Sequence, residues 1–473
     1  MAKKVLDFDY ISGDPFVEAG RRVVVERTGK RRVEVEEIRK LIDWALSYYV
    51  DKWNGKLNPI SLNGPITQPA FKGNNRKIEE TIKYFDRIYN QIGYEEGNCQ
   101  VCGRLDNLFP ADRSNMPLTG SNTNPNFHSY FSKGIMLCAE CLTSLFFLPF
   151  AVINAGKCLL VINTLSDDIF KYWMEETLYK TVHALNSEGM AESRKKILSN
   201  QLYYLADRFS ALDENIIRKE SINLYYFTNF GASPECTFIT LPKSVILFLK
   251  GIKEEKRNIS GDFAAIVFSN MMRKDSTVLE EWNSIIWKNY RKNNAIFDQQ
   301  KNEYLIKERK NLVTVSREEV SQWYNPIIEK LINNENILSY LRQAKVSSTL
   351  AVYYCLEVLK MDKDRIKVLI QLADKIAGLI EAQDKSDILI DLQKSRNPWE
   401  FRLALFKAMR LYAKTGKEEP LFNTEEYLYK IFPDGEPWTD ARDLILVRLY
   451  EKLHKWLSNK NIDSDIQTEQ IEN

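Results

Sequence analysis

Four cysteines are arranged in two CxxC motifs, Cys99-Gln-Val-Cys102 and Cys138-Ala-Glu-Cys141, in a chain of 473 residues. Each motif places two thiolates on one tight turn, and two such turns make the four-sulfur cage that Zn²⁺ prefers. The chain has seven cysteines in all, so two chance pairs at this spacing are improbable. Because cysteine takes every ligand position, no position stays open for a substrate water. The pattern therefore predicts a structural Zn²⁺ site.

Other uses of paired cysteines fit this sequence less well. A disulfide framework is typical of small secreted chains, and a thioredoxin-like redox site uses a single CxxC motif. An iron–sulfur cluster stays an alternative, because four thiolates can hold one. The insert between the motifs, residues 104–137, is longer than a usual spacer and is rich in Asn, Ser, Pro and Gly, which is typical of a loop. A recognition loop held by the metal and an excursion without function both fit it.

Length, charge and hydropathy restrict the class of protein. The length suggests two or three domains, and a hydrophobic content of 44% is that of a globular protein. The net charge of +2 excludes a uniformly basic chain, so any nucleic-acid binding must come from local patches. The apolar stretch 142–162 contains Pro149, Asn154, Gly156 and Lys157, and is too short and interrupted to span a bilayer. Without a secretory signal at the start, we expect a cytoplasmic protein with no membrane partner.

Local patterns predict an α+β fold. A mixed α/β region is expected over residues 1–315, with a four-cysteine zinc ribbon at 95–145 inserted in it. A C-terminal α-helical bundle is expected at 316–458, followed by a flexible tail at 459–473. β-Branched runs at 22–27 and 32–36 predict a hairpin, and 263–269 predicts a strand. The apolar spacing also predicts single helices at 317–333 and 338–359, whereas the charged segment 299–310 is expected to be a solvated face or linker.

No constellation of residues in this sequence supports catalysis. The three histidines, His128, His183 and His454, are far apart, and the sequence has no GxxxxGK[ST], HExxH or GxSxG motif. His128 lies inside the insert and could contact phosphate or replace a ligand, but four cysteines are the better ligands. The sequence therefore predicts a protein that is not an enzyme.

Three segments could contact nucleic acid, and each also has an ordinary structural interpretation. Three consecutive cations near Gly29 could neutralise phosphates, or form a solvated turn. The Gly- and Pro-rich stretch 58–76 could present amides to base edges, or form ordinary turns. The basic residues of the helical region could line a single strand or a heteroduplex, or be a solvated helix face. The candidates are Lys30, Arg31, Arg32, Asn63, Gln68, Lys72, Asn74, Asn75, Arg76, Arg396, Arg402, Lys407 and Arg410, with Lys394 and Lys414 nearby.

The block Ile11-Ser-Gly-Asp-Pro-Phe-Val-Glu-Ala-Gly20, the two CxxC motifs and the helical C-terminal third together resemble one protein family. This is the CXXC–CXXC family of CRISPR-associated proteins, the large subunit of the type I-B Cascade surveillance complex. The block and the double CxxC give the resemblance its specificity, since a helical C-terminal region is generic. The resemblance places the metal ligands at Cys99, Cys102, Cys138 and Cys141.

The resemblance implies a non-catalytic subunit that acts in antiviral defence. Such a subunit would recognise the protospacer-adjacent motif of target double-stranded DNA, contact the 5′ handle of the guide RNA and stabilise the R-loop. Its implied partners are the guide RNA, the target DNA, the backbone, handle-binding and small subunits of Cascade, and the recruited helicase–nuclease. A stand-alone zinc-ribbon protein that binds nucleic acid or acts in transcription is the alternative.

Overall fold

A computed structural model describes residues 2–53, 57–119, 134–187, 197–229, 234–254, 277–308 and 311–460. The chain divides into two compact units, one made of residues 1–201 and 212–241, the other of residues 202–211 and 242–473. This division lies near residue 241, whereas the sequence predicted a boundary at 315. The predicted strand 263–269, His128 and most of the predicted tail lie outside the described residues.

The structure is mixed α and β, with several small antiparallel sheets. The described strands form sheets in the orders β1–β2, β3–β4–β5, β6–β7–β8–β9 and β10–β11–β12. Their bounds are β1 Val5–Asp7, β2 Arg32–Glu34, β3 Glu95–Asn98, β4 Leu105–Ala111, β5 Ile135–Cys138, β6 Ile153–Ala155, β7 Cys158–Asn163, β8 Asn223–Thr228, β9 Glu235–Thr240, β10 Ala295–Asp298, β11 Glu303–Glu308 and β12 Asn311–Thr314.

Helices make up most of the remaining structure, above all after residue 316. In the first part of the chain they are α1 Pro15–Thr28, α2 Val35–Tyr49, α3 Asn74–Tyr89, α4 Ala139–Phe147, α5 Asp167–Met174, α6 Lys180–Ser187, α7 Leu198–Phe209, α8 Glu214–Lys219, α9 Lys243–Glu254 and α10 Val278–Lys288. After them come α11 Arg317–Val320, α12 Pro326–Ile332, α13 Leu338–Gln343, α14 Ser348–Glu357, α15 Lys363–Gln383, α16 Asp387–Lys394, α17 Pro398–Ala413, α18 Thr424–Glu426, α19 Trp438–Lys452 and α20 His454–Lys460. None of the described helices is long and apolar enough to cross a membrane.

The predicted hairpin at 22–36 is wrong, because residues 22–27 belong to helix α1. The Asp14 side chain accepts hydrogen bonds from the backbone N–H groups of Phe16 and Val17, and Pro15 occupies the first helical position. Gly29, with φ 66°, takes the left-handed conformation that ends the helix. These end signals outweigh the β preference of the valine run, in which Val23 and Val24 are instead buried by packing of the helix.

Helix α1 can approach helix α4 closely because residue 20 is glycine. A Cβ atom added at Gly20 would lie 1.8 Å from the carbonyl oxygen of Ser144 and 3.1 Å from the backbone nitrogen of Leu148. No side chain fits at such distances, so the missing Cβ sets how near the two helix backbones come. This contact matters for the site described below, since α4 carries one of the four cysteines.

Three sequence predictions in the second unit differ in part from the structure. The charged segment 299–310 is mostly exposed where it is described, as expected for a solvated face, but it is not a linker, because residues 303–308 form strand β11 of the sheet β10–β11–β12 and Tyr304 packs against Val320 and Trp323. The helix predicted at 317–333 is broken before Pro326, where Asn325 caps a new helix. The helix predicted at 338–359 is broken between Gln343 and Ser348. Lys345 has a left-handed φ of 51°, and the Ser347 side chain caps the next helix.

Candidate metal centre

The sheet β3–β4–β5 brings the two cysteine motifs together. Cys99 and Cys102 lie in the turn between β3 and β4, which closes through a hydrogen bond from the Gly103 N–H to the Cys99 carbonyl, 2.8 Å. Gly103 has φ 73°, a conformation that favours glycine. Cys138 ends β5, which pairs with β4 in antiparallel register, and Cys141 lies in the first turn of α4. The two motifs therefore meet because β4 is the shared neighbour of β3 and β5.

The four sulfur atoms form a compact cluster. The Cys99 and Cys141 Sγ atoms are 3.7 Å apart, as are those of Cys102 and Cys138. All four ligand atoms lie within 4.8 Å of one another. An ion bound tetrahedrally at about 2.3 Å from each sulfur would set neighbouring sulfurs about 3.8 Å apart. The spacing thus suits one tetrahedral ion, whereas a cluster of several irons and sulfides would hold the thiolates farther apart.

The protonation of the cluster also favours a cation. The pKa of the Cys102 thiol is held well below its usual value, because the thiols of Cys138, Cys141 and Cys99 and the guanidinium of Arg104 surround it with donors. The pKa of the Cys99 thiol is also lowered, to about 6, because the opposing hydrogen bond with Cys102 is outweighed by those with Cys138 and Cys141. The pKa values of Cys138 and Cys141 are raised, above all by their hydrogen bonds with Cys102, so the four thiols do not all ionise together. A divalent cation removes this conflict by replacing the protons. The cluster is therefore a candidate metal centre with cysteine as its complete donor set.

Two carboxylates beside the cage, those of Asp106 and Glu140, are held in ion pairs. Asp106 and Glu140 have ligand atoms close to the Cys138 sulfur. Lys3 lies between the two carboxylates, with its Nζ 2.6 Å from Asp106 and 3.0 Å from Glu140. Glu140, which is buried, also accepts a hydrogen bond from the backbone N–H of Asp7. These carboxylates thus hold the N-terminal strand against the cysteine sheet, and they need no second ion.

The block 11–20 that carries the family resemblance has a structural role in this chain. Asp14 and Pro15 start α1, and Gly20 allows its close contact with α4. The ring of Phe16 packs at 4.7 Å from that of Phe227, so the start of the helix also contacts strand β8. The block and the cysteines are therefore parts of one packed region, because α4 joins them.

Sequence analysis missed two residues that touch the cage. The hydroxyl of Tyr10 is 3.5 Å from the Cys141 sulfur, and the guanidinium of Arg104 lies against Cys102 and Cys138. Arg104 follows the first motif by two residues, and this spacing is the only signal that the sequence offered for it. Tyr10 could not be found in this way, since its position depends on the packing of strand β1.

The first predicted nucleic-acid segment, residues 30–32, connects α1 to β2, with Arg32 as the first residue of β2, and is not a hairpin tip. Each of its cations is exposed and has a carboxylate partner. Lys30 pairs with Glu37 at 2.7 Å, Arg31 with Asp9 at 2.7 Å and Arg32 with Asp7 at 3.0 Å. Phosphate would have to displace these carboxylates to bind, so the segment is a partly neutralised patch.

The second predicted segment is a loop that the fold holds in place. The Leu62 N–H donates to the Arg113 carbonyl at 3.0 Å, so the loop lies against the start of the 104–137 insert. Asn63 is exposed with φ 63°, whereas Gln68 is half-buried and Lys72 is exposed. Asn74, Asn75 and Arg76 are exposed in the first turn of α3, with Asn74 donating to Asp51 and Arg76 lying over the Phe71 ring.

The third predicted segment lies on and just before helix α17 in the second unit. Arg396, Lys407 and Arg410 are exposed, and Lys407 pairs with Asp391 at 2.6 Å. Arg402 is half-buried, with its guanidinium 4.7 Å from the centre of the Phe432 ring. Trp399 and Leu403 are 66% and 50% exposed, so this surface carries apolar side chains as well as cations.

The predicted metal ligands are brought together, and the other candidates belong to three different segments of the chain. Cys99, Cys102, Cys138 and Cys141 form the cage, the segments 30–32 and 63–76 belong to the first unit, and 396–410 belongs to the second. Among the described histidines, His183 lies in α6 and His454 begins α20, outside the metal-binding groups found. Comparisons with protein-family models, with curated proteins and with solved structures found no match for the chain.

Proposed function

We propose that the four cysteines hold one structural Zn²⁺ and make β3–β5 a zinc ribbon. The observation that supports this most directly is the all-thiolate cage with every sulfur within 4.8 Å of the others. Cys99, Cys138 and Cys141 are almost fully buried, so solvent has little access to the ion's ligands. An ion held by four cysteines has no open position for substrate, and its binding energy contributes to folding.

We further propose that the protein is the non-catalytic large subunit of a type I-B CRISPR Cascade complex. The support is the combination of the Gly-Asp-Pro-Phe block, the double CxxC and the helical C-terminal region. Because α1 packs closely on α4, the Gly-Asp-Pro-Phe block and the CxxC motifs belong to one packed region. In this role the subunit recognises the protospacer-adjacent motif, contacts the guide RNA handle and stabilises the R-loop for the helicase–nuclease, in the cytoplasm.

Within this proposal, the segment 58–76, a loop that ends in the first turn of α3, is the surface that reads the adjacent motif. It is held to the fold by backbone hydrogen bonds, and it presents exposed amides at Asn63, Asn74 and Asn75. Amide side chains on a fixed loop can both donate and accept hydrogen bonds at base edges. The exposed cations of 396–410 and the Trp399 ring are suited to a displaced single strand, through phosphate contacts and base stacking.

Co-purification tests the Cascade role. The protein, expressed from its own operon, should bring down its partners with an RNA of one fixed length. A protein that purifies alone and binds no guide complex would refute this role and leave the stand-alone nucleic-acid-binding protein as the better interpretation. The metal is tested separately, since the purified protein should contain one zinc per chain. Cys99→Ser should lose the zinc, and Cys236→Ser should keep it, because Cys236 is exposed and outside the cage.

The reading loop is tested by removing its amides. The combined change of Asn63, Gln68, Asn74 and Asn75 to Ala should weaken binding to targets with the correct adjacent motif while the complex still assembles. Gln300→Ala is the control, because Gln300 is an exposed amide in the β10–β11 turn of the second unit. An unchanged preference for the motif in the loop variant would reject this assignment.

A further inference from the structure

We propose that Arg104 is a positioning residue that shields the metal cage. Its guanidinium covers the ligand edge nearest to solvent and so slows both metal loss and attack on the sulfurs. Three of the cysteines are almost fully buried, whereas Cys102 is half-buried. The inference rests on the proposed metal, and it assigns a task to a side chain that is not itself a ligand.

The guanidinium lies along the edge formed by Cys102 and Cys138. Its Nε is 3.5 Å from the Cys102 sulfur, and its Nη2 is 3.9 Å from the Cys138 sulfur. Both distances are within the range of N–H donation to sulfur. One planar group therefore faces two ligands at once, and one of them is Cys102, the half-buried cysteine.

Other contacts fix the guanidinium in this position. Its Nη1 donates to the Asp7 carbonyl at 3.0 Å, and its Nη2 lies 3.8 Å from the Glu140 carboxylate. The group also stacks over the Tyr10 ring, 4.1 Å from its centre. Tyr10 in turn places its hydroxyl 3.5 Å from the Cys141 sulfur. Arg104 and Tyr10 thus cover two sides of the cage as one stacked pair.

The chemistry of the cage explains why a guanidinium suits this place. Four thiolates around a divalent ion carry a net charge of −2, which a neighbouring cation stabilises. N–H donation to a thiolate withdraws electron density from sulfur and makes it a weaker nucleophile. Lysine could supply the charge, but not the planar set of donors that reaches two sulfurs and a carbonyl together. Loss of such a partner typically weakens metal binding about 10–100-fold.

The experiment measures zinc transfer from the full-length, zinc-loaded protein to a chelating dye, and alkylation of its cysteines by iodoacetamide. Arg104→Gln should release zinc and react with iodoacetamide at least about tenfold faster than the wild type. Arg104→Lys should lie in between. Arg87→Gln is the matched control, because Arg87 is exposed near the same sheet and donates to the Ile92 carbonyl instead of the cage. It should behave as the wild type.

The outcomes separate this inference from the metal proposal. A wild-type protein without zinc would refute both. A wild type with one zinc per chain, together with wild-type release and alkylation rates in Arg104→Gln, would overturn the role of Arg104 alone. If Arg104→Gln does not fold, Arg104→Lys supplies the measurement. Equal rates in Arg104→Lys and the wild type would then reject the shield.

Discussion

Replacing Gly20 with alanine should push helix α1 away from helix α4 and loosen the cysteine cage. The new Cβ would lie 1.8 Å from the Ser144 carbonyl oxygen and 2.6 Å from its carbonyl carbon. A carbon–oxygen contact needs about 3.3 Å, so the helices must separate locally by about 1.5 Å. The position of the Cβ is fixed by the backbone of α1, and the Ser144 carbonyl belongs to the backbone of α4, so neither can move away by changing a rotamer.

The cost follows from this geometry. Overpacking a well-filled contact costs about 1–3 kcal/mol, and a clash between two backbones belongs at the upper end. For a unit of this size, each kcal/mol of stability lost lowers the melting temperature by about 2–4 °C. A loss of about 3 kcal/mol therefore lowers it by roughly 6–12 °C. Because Cys141 lies in the first turn of α4, the zinc affinity should fall as well.

Thermal unfolding and zinc content should be measured on the same preparations. Gly13→Ala is the matched control, since a Cβ at Gly13 meets nothing within 4 Å and its φ is not in the left-handed region. Its melting temperature should equal or slightly exceed that of the wild type. If Gly20→Ala melts within about 2 °C of Gly13→Ala, which is under about 1 kcal/mol, and keeps its zinc, the helix contact does not support the cage.

Three other changes have defined outcomes. Arg448→Ala should lower the free energy of unfolding in urea by about 3–5 kcal/mol, because Arg448 is fully buried and its guanidinium donates two hydrogen bonds to the Asp374 carboxylate. The control is Arg410→Ala at an exposed position, which should lower it by less than about 0.5 kcal/mol. Equal losses in the two variants would contradict this prediction. Asp9→Asn frees Arg31 from its ion pair and should steepen the salt dependence of nucleic-acid binding by about one unit, and an unchanged slope would exclude Arg31 as a phosphate contact. Acidification should release the zinc, because protons compete for the thiolates, and metal content that does not depend on pH would argue against thiolate ligation.

The cysteine cluster was predictable because its information is local. A CxxC turn fixes two sulfurs over four residues, and the pairing of two such turns needs only a shared strand. The helical region after residue 316 was predictable for a similar reason, since its apolar residues recur at helical spacing. The predicted lengths of two helices were wrong where single residues decide the outcome, as at Lys345, whose left-handed φ of 51° follows the end of α13.

Other features could not be read from local patterns. The valines before Glu26 favour a strand by propensity, yet Asp14 and Gly29 enclose them in a helix that α4 buries. The roles of Arg104 and Tyr10 depend on strand β1 lying beside the cysteine sheet, a contact between residues far apart in sequence. Tertiary packing decides the conformation and contacts of these residues, and no short stretch of sequence contains enough information to predict that packing.

The pairing of β4 with β5 has a consequence for how this protein can change. Ala111 and Ile135 are direct partners in the sheet, so the chain leaves and re-enters it at neighbouring positions. The entropy of closing the segment between them grows only with the logarithm of its length, at about 0.6 kcal/mol for each doubling. Evolution can therefore lengthen this segment, or a protein engineer can splice a reporter domain into it, while the four sulfurs stay in register.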